Sequence, residues 1–172
     1  MTTLESFPAI ESAESNILIL GSMPGVDSLK ASQYYAHRQN AFWFIMGELF
    51  GAGFDLAYGE RVDILVQHKI ALWDVLHQCR REGSLDSSIR DERVNDIEQF
   101  VVAHGQLRLI LFNGKKSEQI FRKQVSFARP EVLERIQLLS MPSTSPAMAT
   151  LSKYQKLEIW RAALLPDRHQ LE

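Results

Sequence analysis

Four short apolar runs, each stopped by turn-forming residues, constrain this chain more than any other feature. Asn16-Ile17-Leu18-Ile19-Leu20 runs into Gly21-Ser22-Met23-Pro24-Gly25, and Ala71-Leu72-Trp73-Asp74-Val75 is a second run. Leu107-Arg108-Leu109-Ile110-Leu111-Phe112 ends at Asn113-Gly114, and Ile136-Gln137-Leu138-Leu139 ends at Met141-Pro142-Ser143. Runs of this length, rich in branched residues and bounded by glycine, proline or asparagine, read as buried strands. Between and after them, residues 41–50, 60–68, 92–103, 117–123 and 153–164 carry helical periodicity. Apolar strands alternating with helices predict an α/β fold: a three-layer α/β/α sandwich around a central, mainly parallel sheet of four strands.

The length of 172 residues suits one domain, with its core at about residues 16–165 and no repeat or linker to divide it. The acidic start MTTLESFPAIESAE lacks the basic-then-apolar order of a secretory signal, and no apolar stretch reaches membrane-spanning length. A cytoplasmic monomer with no membrane partner is expected. One cysteine, Cys79, excludes an internal disulfide, a four-cysteine zinc site and a four-cysteine iron–sulfur cluster within one chain. The histidines (His37, His68, His77, His104 and His169) show no close ligand pairing, so no structural metal is expected. A formal charge of −2 argues against coating nucleic acid by charge alone, but it leaves room for a compact enzyme with a local basic patch.

In open sheets of this kind ligands sit beyond the carboxyl ends of the strands. Here those ends carry GSMPG, Asp74, Asn113-Gly114 and MPSTSPA. GSMPG is either an ordinary strand-to-helix turn or a place where a ligand comes close to backbone. FNGKK is not a phosphate loop, because Leu109 stands where the Walker pattern needs glycine and Lys116 where it needs a hydroxyl. It is either a common Asn-Gly turn with solvated lysines or an amide for a base edge, Asn113, beside two phosphate contacts, Lys115 and Lys116. The hydroxyls Ser143, Thr144 and Ser145 either stop a strand or grip phosphate oxygens. The stretch YYAHRQNAFW, residues 34–43, is either a hydrophobic plug or a holder for something flat and polar. On helical period, at least two of Phe42, Trp43 and Phe44 belong to the core.

The spaced set LGSMPG, YYAHRQNAFW, FNGKK and PSTSPA resembles the uracil-DNA glycosylase superfamily, most nearly its mismatch-specific and hypoxanthine (deoxyinosine) branches, over about residues 16–160. The middle motif is the specific part, being similar to the aromatic-Ala-His, Asn, Phe-Trp pattern of mismatch glycosylases. ALWDVL followed by CRREGSLDSSI is similar to the hypoxanthine branch. The resemblance implies hydrolysis of the N-glycosidic bond of a deaminated base, flipped out of damaged DNA, duplex or single-stranded, to leave an abasic site without any cofactor.

It also implies roles. Tyr35 matches the base-stacking aromatic, Asn113 the reader of the base edge, and Gly21, Ser22 and Met23 the pocket floor. Ser143, Thr144 and Ser145 match the motif that grips the DNA backbone, with Lys115 and Lys116 as further phosphate contacts. Most of the superfamily has Asp or Asn where Met23 stands, to position the attacking water, and Met23 can neither orient nor deprotonate water. The hypoxanthine branch points to Asn40 for that task, with His37 as a brace or minor contact. Arg38 stands where relatives commonly have proline, and Met148 where hypoxanthine-type relatives often have asparagine, so the preferred base stays open. Met148 and Leu151 are positioned as a wedge for the gap left by flipping. Two other readings are a catalytically silent DNA- or nucleotide-binding member of the same fold and a serine hydrolase using Ser22 with Asp167 and His169.

Overall fold

The computed structural model describes residues 2–166; the Asp167 and His169 of the hydrolase reading lie outside the described residues. The elements run β1 (Thr3–Glu5), β2 (Ile17–Gly21), α1 (Val26–Ala31), α2 (Phe42–Phe50), α3 (Tyr58–Gln67), β3 (Ile70–Asp74), β4 (Leu76–Arg80), β5 (Arg90–Val94), α4 (Ile97–Ala103), β6 (Leu109–Asn113), α5 (Lys115–Gln124), β7 (Gln137–Met141) and α6 (Lys153–Leu164). The four strands expected from the apolar runs form one sheet in the order β3-β2-β6-β7, and every neighbouring pair is parallel. The register sets Gly21 opposite Asp74 and Asn113 opposite Met141, so the strand ends finish along one edge.

Successive strand residues face opposite sides of a sheet, and β2 is buried on both. Ile17 and Ile19 join one core with Trp43, Leu65 and Trp160 from α2, α3 and α6. Leu18 and Leu20 join the other, with Phe100 and Val101 of α4, Ile120 and Phe121 of α5, and Cys79 of β4. The three-layer expectation holds. Burying each of these aliphatic side chains contributes about 1.5–3 kcal/mol, which is why a strand with no polar face is stable only in the middle layer.

One expectation needs correction. Residues 92–103 do not form a single helix, because Arg90–Val94 is strand β5 and α4 begins only at Ile97, where the Asp96 side chain accepts the Gln99 N–H at 3.0 Å. That strand belongs to a small antiparallel sheet, β1-β4-β5, that was not anticipated. Its members are short and only partly apolar, with Leu4, Leu76, Cys79 and Val94 turned to the second core and charged residues on the other face. Among the described residues no helix is long and apolar enough to cross a membrane.

Candidate active site

The carboxyl ends of β2, β3 and β6 and the loop after β7 surround a cavity of about 530 Å³, within the ~300–1,000 Å³ usual for small-ligand sites. Gly21 forms part of its wall for a steric reason. A Cβ there would lie 2.5 Å from Asp74 Oδ1 and 3.2 Å from Tyr35 Oη, so two polar groups converge on the space the missing side chain leaves. Tyr35 itself has φ +55°, a conformation that costs a non-glycine residue about 1–3 kcal/mol and must be held by its surroundings. One ring face stacks on Phe42 at 4.1 Å between centroids. Burial, and then Asp74, raise the Tyr35 hydroxyl well above the ordinary tyrosine range, while the Asn113 amide beside it works in the opposite sense.

Asn113 ends β6 and is clamped to Thr144 by two hydrogen bonds. Its Nδ2 donates to Thr144 Oγ1 and its Oδ1 accepts the Thr144 N–H, both at 2.9 Å. Each amide function keeps one further site, a hydrogen on Nδ2 and a lone pair on Oδ1, so Asn113 can still meet a base edge. Thr144 is a correction: only 1% exposed, it braces Asn113 and does not present a hydroxyl to a phosphate. Ser143 and Ser145 stay partly exposed; Ser143 Oγ accepts the Ser145 N–H and Ser145 Oγ accepts the Ala147 N–H. Gly114, at φ +97°, lets the turn after β6 run against Ser143, whose Cβ would be 3.0 Å from an added Cβ. Buried Lys156 of α6 donates to the Ser145 carbonyl at 3.0 Å, and Trp160 Nε1 to the Pro142 carbonyl at 3.1 Å, so α6 fixes this loop from below.

Across the cavity, the YYAHRQNAFW stretch divides between core and wall. Tyr34, Phe42 and Trp43 are buried, and Trp43 Nε1 donates to the Tyr34 carbonyl at 2.9 Å. Phe44 is half-buried, its ring edge-on to Tyr154, so two of the three aromatics opening α2 are core as expected. Asn40 lines the cavity, and its Oδ1 accepts the Phe42 N–H at 2.9 Å in an Asx turn that satisfies an otherwise unpaired group at the start of α2. His37 lies at the rim with its side chain half-exposed; Nδ1 accepts the Gln39 N–H and Nε2 lies 3.9 Å from Asp27. The Ala41 N–H donates to the Thr144 carbonyl at 2.9 Å, which ties the two walls together.

Several groups here had no assigned role in the sequence. Asp74, at the end of β3, is only 4% exposed, and its Oδ2 is buried without a hydrogen-bond partner. Burial, reinforced by nearby Asp86 and opposed by Arg81, pushes its carboxyl up to about 7. Asp86 reaches the cavity from the loop between β4 and β5 and accepts the Ser22 hydroxyl at 2.6 Å. The hydrolase reading asks for a histidine base at Ser22, and this hydroxyl is directed instead at a carboxylate. Arg81 is buried and donates to the carbonyls of Pro24 and Gly83. An aspartate closing a parallel strand was a usable signal for Asp74; Asp86 and Arg81 arrive from a loop with no motif of its own.

A model of the uracil DNA glycosylase superfamily matches residues 7–164. The chain belongs to that superfamily. It is 40% identical over 114 residues to a hypoxanthine DNA glycosylase of Methanosarcina barkeri, covering 66% of this chain and 72% of that protein. A hypoxanthine DNA glycosylase of Methanosarcina acetivorans is 42% identical over 112 residues, covering 64% and 71%. A solution NMR structure of a candidate uracil DNA glycosylase from Methanosarcina acetivorans superposes with a TM-score of 0.78 at 34% identity, over 95% of this chain and 97% of that one.

For a member of the uracil DNA glycosylase superfamily, the structure brings Gly21, Ser22, Met23, Tyr35, His37, Asn40, Asn113, Ser143, Thr144 and Ser145 to one cavity. Met23 is largely packed into the second core. Lys115 and Lys116 lie outside the cavity wall; Lys115 is exposed, while Lys116 pairs with Glu92 at 3.2 Å. Met148 lines the cavity and Leu151 does not, but Leu85, 56% exposed, also stands at its edge. Among the described residues no three His, Cys, Asp or Glu side chains come together as metal ligands would.

Proposed function

We propose that this single-domain chain is a monofunctional DNA glycosylase that acts as a cytoplasmic monomer. It flips a deaminated base, hypoxanthine foremost, out of duplex DNA and hydrolyses its N-glycosidic bond in base excision repair. The observation that carries this reading is the cavity at the carboxyl edge of the sheet, where Tyr35, Asn40 and Asn113 meet around a space of ligand size. The Methanosarcina relatives named hypoxanthine DNA glycosylase support placing hypoxanthine first among the bases.

The chemistry follows from the side chains. Extruding a nucleotide costs a few kcal/mol, and less at a mispaired deaminated base, so damaged pairs are favoured before any contact is made. Tyr35, backed by Phe42, offers a stacking surface, and the free hydrogen and lone pair of Asn113 match the polar edge of the base. Met23 cannot hold water. Asn40 takes that task, because its Oδ1 keeps a lone pair beyond the one facing the Phe42 N–H and its Nδ2 is free to donate. A bond that breaks before the nucleophile adds needs a well-placed water more than a strong base. Ser143, Ser145 and Lys115 hold the DNA backbone at the rim, and Lys116 does so more weakly because it is already paired.

The test uses duplexes carrying deoxyinosine, deoxyuridine, deoxyxanthosine or thymidine opposite each normal base, and single strands of the same sequence, followed by alkaline cleavage of abasic sites. Cleavage at deoxyinosine in duplex is expected, and no product from any substrate would leave only a silent binding member. Asn40→Ala is expected to remove turnover while sparing affinity for abasic DNA. Full turnover in that variant would move the water elsewhere.

A further inference from the structure

Among the described residues, Asp74 is the one buried carboxyl lining the cavity, and the scheme above leaves it without work. It closes β3 beside Gly21, and the end of that strand is held firmly. The Val75 and Leu76 N–H groups donate to the carbonyls of Gly21 and Ser22, and Asn95 Nδ2 donates to the Asp74 carbonyl at 2.8 Å. A carboxylate placed for structure would cap a helix or pair with a cation. Asp74 does neither: among the described residues no basic group lies within ion-pair distance, and Oδ2 receives no hydrogen bond although it is fully buried. The glycine opposite keeps open the space next to Oδ1, where any larger residue would collide with it.

We propose that Asp74 is the general acid that protonates a purine base as it leaves. This rests on the reading of the chain as a glycosylase of deaminated bases. Hypoxanthine has a basic ring nitrogen, N7, in its five-membered ring; uracil has no equivalent. The C1′–N9 bond breaks with both electrons going to the base, and the Asp74 proton passes to N7, so the purine departs uncharged. The water at Asn40 then bonds to C1′, and the proton it loses returns to Asp74 directly or through solvent. Atoms and charge balance, and no co-reactant is needed.

The surroundings keep the proton available near neutrality. Burial and Asp86, facing Asp74 from the loop between β4 and β5, raise the carboxyl to about 7, and Arg81 from the same loop opposes them. Tyr34 and Tyr35 face it from the loop before α2 and stay uncharged, since burial and Asp74 both push their hydroxyls up. Across from it stands Gly21 at the end of β2, and the hydroxyl of Ser22, the next residue, is directed at Asp86.

Single-turnover excision from deoxyinosine and deoxyuridine duplexes between pH 5 and 9 tests this, with wild type beside Asp74→Asn, which keeps shape and a hydrogen-bond donor but has no proton to give. For wild type, deoxyinosine excision is expected to fall as pH rises past about 7. In Asp74→Asn it should be about 100-fold slower at pH 6.5, the scale of general acid catalysis, and lose that alkaline fall. Deoxyuridine excision should change less than about threefold under the same reasoning. Equal loss on both bases, or an alkaline fall that persists in Asp74→Asn, overturns the proposal. If Asp74→Asn does not fold, a wild-type deoxyinosine rate that is flat through pH 7 overturns it alone. Excision of neither base by wild type would overturn the glycosylase reading itself, and this one with it.

Discussion

At the scale of single residues, the site depends on one missing side chain and one proton. Gly21→Ala places a Cβ 2.5 Å from Asp74 Oδ1, closer than real contacts allow, and β3 is too tightly paired for its end to retreat. The carboxyl has to swing aside, and because a displacement of ~1 Å at a reacting group can cost about 100-fold, deoxyinosine excision should fall by about 10- to 100-fold. Single-turnover rates with a control of abasic-DNA affinity check this, and an unchanged rate would mean that Asp74 does no work at that spot. The proton can also be seen in stability. The Asp74 pKa stands at about 7 in the folded chain against an ordinary value of 3.8, so the folded state binds this proton more tightly than the unfolded one. Its contribution to stability is fully present below about pH 4 and is lost as pH rises through 7, a swing on the order of 4 kcal/mol by linkage. Asp74→Asn should therefore gain stability relative to wild type at pH 8 and not at pH 4. Denaturant midpoints at the two pH values measure it, and an equal difference at both would refute the elevated pKa.

At the scale of elements, the loops are fixed by the helices and strands that could be read directly. β2, β3, β6 and β7 were legible because each carries an apolar run closed by turn residues, and α6 because its period begins after Ser152, which makes a capping box with Gln155. β5 was not, since Arg90-Asp91-Glu92-Arg93 shows no strand pattern until β4 pairs with it, and the helical reading of residues 92–103 ran through it. The site divides the same way. Tyr35, Asn40 and Asn113 stand in motifs next to legible elements, whereas Asp86 meets Ser22 across 64 residues of chain, a contact only the fold creates. Asn40 belongs to both levels, because it completes the first turn of α2 and faces the cavity. The two duties separate by substitution. Asn40→Ala loses a hydrogen bond worth about 1 kcal/mol and should lower the melting temperature by about 2–4 °C. Asn40→Ser can make the same turn, more weakly, but is too short to hold water at the same point, so it should melt nearer wild type and still lose turnover. Turnover that follows stability through the two variants would reduce Asn40 to a structural residue.

At the scale of the whole molecule, a net charge of −2 limits how DNA can be held. A surface without a general positive field gains little from long-range attraction, so affinity must come from a few cations near the cavity and from the flipped base itself. Lys115 and Lys116 are adjacent in sequence and looked equivalent there, but the fold makes them different. Lys115 is exposed at the start of α5, whereas Lys116 is drawn to Glu92 of β5 at 3.2 Å and would have to exchange that partner for a phosphate. Each phosphate neutralised contributes about 0.9 to the slope of log affinity against log salt concentration on duplex DNA. Lys115→Ala should lower that slope by about 0.9 and weaken binding to deoxyinosine, deoxyuridine and undamaged duplexes in the same proportion, because a phosphate carries no base information. Lys116→Ala should change the slope by less than half as much. Fluorescence anisotropy between 50 and 200 mM salt measures both. Equal slopes for the two variants would show that the Glu92 pair opens freely when DNA arrives, and a base-dependent loss in Lys115→Ala would place that lysine against the flipped nucleotide instead of the backbone.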